Sequence, residues 1–542
     1  MSRDDIVTAE AVDSLIADGH TIVIYEDYVL KLDAWLPKHP GGQLAIMHMV
    51  GRDGSDEINA YHSLATLKTM KAFRIGRKPP GIWTNRTPPI RGGIFEKHDS
   101  NCDSACSNNN NTLAVNAYPS PSPSPAGSTT PLEKTLSQEE KDNIGKLKAA
   151  AFIAYAESQD VDRDLKEYPP VDPAIQEDIV KKYRQLHDRV HAEGFYDCPY
   201  VEYGKEITRY SILFGTSMFA LYHQWYLTSA LFLGLFWHQL MFSAHDAAHL
   251  AITGNFEIDS LIAMFVADFC CGLSIGWWKS SHNVHHLITN HPEHDPDIQN
   301  VPLFATTPTF FKGLHSTYYN FKFAWDAAAE LLVPFQHYTY YPVMGIARFN
   351  LYLLSWLHVL SSKSSSLGKS KAWWFRPTEI AFMSCYWYIF GYLLLWCTLP
   401  TWPIRIGFVL VSHVVTMPLH VQITLSHWGM STSDLGESES FAQRQLRTTM
   451  DVDCPAWLDF IHGGLQFQAV HHLFPRVPRH NLRRLQGLVK EFCESTDIPY
   501  TLLGFVDGNA KVIGRLSEVG QQVEHLVNCQ KYMAKTGESG LH

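Results

Sequence analysis

The sequence holds ten cysteines but no Cys-x-x-Cys pair. That absence argues against a zinc ribbon, and the scattered spacing supports no disulfide framework; a reducing compartment is expected. Cys102 and Cys106 lie in a low-complexity tract, while Cys270, Cys271, Cys385 and Cys397 lie in apolar runs. Charge is scarce too. Asp, Glu, Lys and Arg make up 18% of residues, against about 25% in an ordinary soluble chain. There is no basic tract and the formal net charge is −10, so nucleic acid is not an expected partner. The opening residues, MSRDDIVTAE, contain no apolar signal core, which predicts a cytosolic N-terminus. What the chain has in quantity is apolar residues (46%) and histidine (28 residues) within 542 positions, enough for several domains, one of them embedded in a membrane.

The histidines cluster beside the apolar runs. His245 and His249 sit four apart at the end of one run, a spacing that puts both rings on one helix face. His282, His285 and His286 repeat the arrangement, and Gln468, His471 and His472 form a third group. Seven imidazoles are too many for one ion and suit two. His427, at the end of the last apolar run, is expected as an eighth ligand. His420 and His413 lie seven and fourteen residues back on the same helix face, about 10.5 Å of helix per step, and are expected as buried, hydrogen-bonded partners. Gln468 is a weaker ligand that could instead orient a water. A zinc hydrolase needs only three or four ligands. A nitrogen-rich pair suits redox-active iron, and the Glu and Glu-x-x-His pattern of soluble di-iron bundles is missing. Asp246, Asn283, Asp295 and Asp297 are candidates for holding the far nitrogen of the ligand rings. His291 and His294 are expected at the surface or behind the ligands.

Residues 5–78 read as a small α+β domain. Its centre is Trp35-Leu-Pro-Lys-His39-Pro40-Gly41-Gly42, and a second histidine follows in Ala60-Tyr61-His62-Ser63. The Pro-Gly-Gly turn can hold His39 over a pocket with His62 facing it. Two such imidazoles on opposite faces of an iron porphyrin make a six-coordinate, electron-carrying haem with no position open to oxygen.

Residues 79–140, with Asn108–Asn111 and a Ser-Pro alternation, read as a low-complexity flexible tether. Residues 141–204 read as a cytosolic helical region broken at Pro169-Pro170, residues 205–490 as a membrane domain, and residues 491–542 as a C-terminal cytosolic tail. Expected membrane spans are 210–223, 226–244, 378–398 and 405–426. A span needs about 20 apolar residues, so the first is short. If all the clusters build one site they must lie on one side of the bilayer, which makes 257–278 and 344–360 interfacial or re-entrant. Lys205, Arg209, Lys279, Lys363, Lys369, Lys371, Arg376 and Arg444 fall on the cluster side, which the positive-inside rule puts in the cytosol.

Residues 5–78 resemble cytochrome b5, with His39 and His62 matching its axial ligands. The whole chain resembles the membrane fatty-acid and sphingolipid desaturases, specifically the front-end group fused to cytochrome b5. The boxes that carry the resemblance are His245-Asp-Ala-Ala-His249, His282-Asn-Val-His-His286 and Gln468-Ala-Val-His-His472, the glutamine being typical of that group. Gly276-Trp-Trp-Lys-Ser-Ser-His and Gly463-Gly-Leu-Gln-Phe look most like fungal Δ8 sphingolipid desaturases. The resemblance implies a multi-domain protein: an α+β cytochrome b5-like haem domain plus an α-helical membrane domain with four transmembrane helices and a cytosolic di-iron site. It implies haem b, two iron ions and dioxygen, a place in the endoplasmic reticulum membrane, and electrons from NADH-cytochrome b5 reductase. The expected substrate is a membrane lipid, ceramide or a sphingoid base, desaturated at Δ8. It departs at one corner: where some desaturases carry Asn four residues before the extra histidine, Ile423 stands. A Δ6-type acyl-lipid desaturase, a lipid hydroxylase and a non-catalytic haem electron carrier are the alternatives.

Overall fold

The computed structural model describes residues 3–98, 138–361 and 373–536. The Ser/Pro/Asn part of the expected tether, and Lys363, Lys369 and Lys371, lie outside the described residues.

The N-terminal domain is built on a three-stranded sheet. Ile22–Tyr25 and Tyr28–Lys31 pair antiparallel through a two-residue turn, and Arg74–Arg77 adds to the far side of Tyr28–Lys31. All four side chains of Ile22–Tyr25 are buried, because both faces of the sheet are covered. Ile22, Ile24 and Val29 pack on Val12 and Ile16 of the helix Ala9–Ala17. Val23 and Leu30 face the other way, into a crevice with Leu32, Ile46 and Met49. Residues 79–98, assigned to the tether from sequence, run along this domain. Trp83 donates its indole N–H to the Gly51 carbonyl at 3.0 Å, Arg86 meets Asp13 at 3.1 Å, and Phe95 joins the apolar cluster.

Beyond the tether, Gln138–Glu167 and Pro173–Ala192 are helices separated at Pro169-Pro170. The second starts where Asp172 accepts from the Ala174 N–H at 2.9 Å, with Pro173 at the first helical position, a side-chain cap followed by a residue whose missing N–H is no loss there. Among the described residues, four helices are long and apolar enough to cross a bilayer: Tyr226–Ala248, Ala327–Leu360, Phe375–Thr398 and Trp402–Leu425. The set differs from the sequence expectation. The helix Tyr200–Tyr222 falls short because Glu202, Lys205, Glu206 and Arg209 occupy its first half. Residues 344–360 are the end of a 34-residue apolar helical run. Phe375–Thr398 keeps only 17% of its apolar window inside the fold, so its Ile389, Tyr392 and Trp396 form a lipid-facing surface.

Phe256–Cys270 and Ile275–Leu287 are joined at a bend of 116°. Gly272, at φ +72°, makes the corner, and a Cβ there would lie 2.3 Å from the Tyr386 ring. Two buried carboxylates fix the helix that leaves it. Asp268 accepts from the Ile275 N–H, and Glu379 accepts from the Gly276 N–H, each at 2.8 Å. This corner aims the second histidine cluster. The C-terminal segment, read from sequence as a tail, packs into the body. Leu502–Gly504 pairs in parallel with Asp451–Asp453, and Val512, Leu516, Val519 and Val523 of Phe505–Thr536 are fully buried.

Candidate metal centre and haem crevice

The three clusters and His427 meet in one place. His245 and His249 end the helix Tyr226–Ala248; His282, His285 and His286 lie on Ile275–Leu287; His471 and His472 lie on Gln468–Leu473. The rings sort into two groups. His245, His249, His282 and His471 each offer a nitrogen within 4.8 Å of the others, and His285, His427 and His472 do the same. His286 sits between, its ring centroid 4.9 Å from His249 and 4.1 Å from His472. Two opposed metal–imidazole bonds of about 2.1 Å span about 4.2 Å, so shifts of a few tenths of an ångström close either group on an ion.

The donor chemistry fits metal. The Nε2 atoms of His245, His249, His471 and His472, and the Nδ1 atoms of His286 and His427, are buried without a hydrogen-bond partner. Each unpaired buried polar atom costs about 1–3 kcal/mol, and gathering six around one spot makes sense when an ion supplies the missing partner. Several rings are locked so that a lone pair points inward. His285 Nδ1 donates to Asp295 at 2.8 Å, and His472 Nδ1 donates to the Gln445 side-chain oxygen at 2.9 Å. Burial alone would lower the His285 pKa, but Asp295 and Asp297 overcome it and raise it to about 9, so a metal ion at its Nε2 would displace a proton.

The residues expected behind the ligands divide. Asp295 holds His285, while Asp297 is 3.8 Å from the same nitrogen. His285, Asp295 and Asp297 also form a third group with metal-ligand spacing. Asp246 lies 3.7 Å from His245 Nδ1 and is engaged mainly by Tyr203 and Arg479. Asn283 makes no hydrogen bond to a ligand ring; its amide donates to the Gly41 carbonyl of the N-terminal domain at 3.3 Å. It faces outward on the helix, where that domain docks. The Gln468 side chain lies beside His427. His291 and His294 stack on each other away from both groups. His413 and His420 hydrogen-bond the Val409 and Met344 carbonyls.

Two residues that the sequence did not single out connect the clusters. Gln445 donates to the His286 carbonyl at 2.7 Å while its oxygen takes His472 and Thr289. Arg479 joins Asp246, beside His245, to Glu206 and to the Phe242 carbonyl. Nothing local marks either one: Gln445 lies in a polar helix, Phe441–Thr448, that is buried throughout.

In the N-terminal domain, the His39 and His62 ring centroids are 6.0 Å apart across a crevice of about 650 Å³. His39 Nδ1 donates to the Gly42 carbonyl at 2.8 Å and His62 Nδ1 to the Ile58 carbonyl at 2.9 Å, which leaves each Nε2 as a free ligand atom. Two metal–imidazole bonds of about 2 Å plus the ring radii span about 6 Å. Burial lowers the pKa of both rings, His62 to about 4, so they are neutral and able to ligate. The crevice opens onto the histidine clusters: His249 and Leu287 line it too. Tyr61, next to His62, meets the His286 ring edge-on at 6.0 Å. Gly41 permits this approach, since a Cβ there would lie 2.9 Å from the His39 ring and 3.4 Å from the Asn283 amide. Ion pairs flank the contact, Asp56 with Arg184 at 2.7 Å and Glu437 with Arg52.

Comparison with known proteins supplies the context. A family model described as fatty acid desaturase matches residues 223–504, and one described as cytochrome b5-like heme/steroid binding domain matches residues 8–78. A protein of Emericella nidulans named Delta 8-(E)-sphingolipid desaturase is 48% identical over 100% of this chain and 99% of its own length. Proteins of the same name from Kluyveromyces lactis and Komagataella phaffii are 46% and 45% identical, over 99% and 97% of this chain and 95% of each relative.

Proposed function

The chain belongs to the fatty acid desaturase family and carries a cytochrome b5-like domain on the same polypeptide, and from that premise we propose that it introduces the Δ8 double bond into the long-chain base of sphingolipids. The observation that carries this reading is the end-to-end similarity to three fungal Δ8-(E)-sphingolipid desaturases, in a chain whose histidines form two ligand groups beside a haem crevice. The overall change is loss of two hydrogens from adjacent methylenes; these hydrogens combine with dioxygen, two electrons and two protons and leave as two waters.

His39 and His62 would hold haem b. His245, His249, His282 and His471 would hold one iron, and His285, His427 and His472 the other, with His286 between the groups and the Gln468 amide beside His427. The iron pair, when bound and reduced, activates dioxygen for hydrogen removal from an unactivated alkyl carbon. The protein supplies the rest. Asp295 and Gln445 hold His285 and His472 in one orientation. Tyr61 sets the haem domain against His286, a short route for electrons arriving one at a time. Ala244, Ala247 and Ala248, all buried, help keep water from the first cluster. Electrons come from NADH through a cytochrome b5 reductase.

The histidine clusters converge, so the number of crossings between any two is even. Three of the apolar helices separate His286 from His471; one of them therefore returns to its own side, and the bent pair whose second helix carries His282 does not cross. We place that side in the cytosol, in the endoplasmic reticulum membrane. Lys205, Arg209 and Arg376 support this. Lys279 and Arg444 are buried in the fold and do not count toward it.

The test is expression in a yeast lacking this activity, followed by mass spectrometry of its lipids. A long-chain base lighter by two hydrogens, unsaturated at C8, is expected. A new double bond confined to acyl chains, or an added hydroxyl, would reassign the enzyme to the acyl-lipid desaturases or to the hydroxylases.

A further inference from the structure

The crevice between His39 and His62 is walled by both domains. The N-terminal domain supplies a mostly apolar lining, with Glu57 its single carboxylate; the membrane domain supplies two cations, Lys279 and Arg476. Lys279 is 9% exposed. Among the described residues it meets no carboxylate at ion-pair distance; its ammonium lies 5.5 Å from the centre of the Phe256 ring. Arg476 follows the third histidine cluster, and its Nε is buried without a hydrogen-bond partner. It lies close enough to His62 to act on that ring's charge. Buried cations are held by partners; Lys279 has only the Phe256 ring face and the longer-range pull of Asp259, and the half-buried Arg476 has an unpartnered Nε, so two cations facing one crevice imply an anionic ligand.

An iron porphyrin of the b type has two carboxylates at one edge. Glu57, from the N-terminal domain's part of the lining, repels that edge, and Lys279 and Arg476, from the membrane domain's part, attract it. We propose that Lys279 and Arg476 bind the two haem carboxylates, so that the membrane domain completes the haem site of the N-terminal domain. This rests on the reading that the crevice holds haem. Both cations adjoin the machinery they serve: Lys279 lies on the helix of His282, His285 and His286, and Arg476 lies just beyond His472. Haem and domain docking are therefore linked. Haem tightens the contact between domains, and the contact tightens haem binding by the same factor.

The test uses the full-length chain in detergent and follows transfer of haem to excess apomyoglobin. Lys279→Met and Arg476→Gln should each speed haem loss by roughly tenfold, as expected for one charge-assisted hydrogen bond, with Lys279→Arg close to the parent. The haem midpoint potential should fall in both variants, because removing a nearby positive charge favours the oxidised state. The parent chain loaded with haem dimethyl ester, which lacks the charged carboxylates, needs no mutation. It should lose its porphyrin at about the rate at which the double variant loses haem, and the substitutions should then add nothing. Equal retention of haem and ester by the parent would overturn the proposal, as would variants that speed the loss of both alike. A purified chain with no haem absorbance would instead sink the haem reading itself.

Discussion

His285 shows how one imidazole is made into a ligand. Its Nδ1 proton is fixed by Asp295, its ring centroid is 4.6 Å from His427 and 5.0 Å from His472, and it is 2% exposed. His285→Ala should abolish formation of the unsaturated base while leaving the haem absorbance intact. His39→Ala should remove both the absorbance and the product. Retained product in His285→Ala would exclude a metal role for His285 and its cluster. Asp295→Ala leaves every ligand in place but frees the His285 ring; partners of this kind are worth about 10- to 100-fold in metal affinity or activity. Iron content per chain, measured after dialysis against a chelator of graded strength, should fall by that order.

Between the helices, the site depends on cross-braces. Arg479 pairs with Asp246 and Glu206 across a buried interface, and its guanidinium also stacks over Tyr203 at 5.2 Å. Replacing it leaves Asp246 with the Tyr203 hydroxyl and Glu206 with Tyr210 and His480, and takes from both the guanidinium that offsets their buried charge. Arg479→Met should therefore destabilise the chain by about 3–5 kcal/mol, read as a lowered temperature of unfolding in detergent, with iron lost from the group containing His245. Unchanged stability and iron content would mean that Asp246 and Glu206 find other partners. The bend at Gly272 works at the same scale: it directs Ile275–Leu287, so three ligands share one aim.

For the molecule as a whole, the question is how the haem domain stays against its acceptor. Glu437 pairs with Arg52, lies 3.7 Å from Arg91, and offers its backbone carbonyl to Asn85 at 3.1 Å. Glu437→Ala leaves two buried arginines unpaired at that contact. Reduction of the haem by the reductase should proceed as before, while its reoxidation by the membrane domain in the presence of lipid and oxygen should slow several-fold, as followed by stopped-flow absorbance. Slowing of both steps would point to damage within the haem domain. Stripping iron with a chelator should likewise stop reoxidation and product formation without altering haem reduction, and added ferrous iron should restore both.

The local sequence carried the ligands, because an imidazole's chemistry belongs to one residue and a four-residue spacing puts two on one helix face. The haem pair was legible for the same reason, through a Pro-Gly-Gly turn and a histidine at the end of a short helix. Membrane helices were only partly legible. Hydropathy alone does not distinguish a lipid-facing helix from one covered by protein: the expected span 210–223 belongs to the helix Tyr200–Tyr222, whose charged first half makes it fall short, and the stretch 344–360, expected as interfacial, ends the long apolar run Ala327–Leu360. Tertiary structure alone decided which rings fall into one candidate ligand group, that Gln445 and Arg479 brace them, that Asn283 turns to the N-terminal domain, and that Lys279 and Arg476 reach its crevice. Those roles come from contacts between segments far apart in the chain, and a glutamine, arginine or lysine looks the same in sequence whether it ends in water or against a ligand.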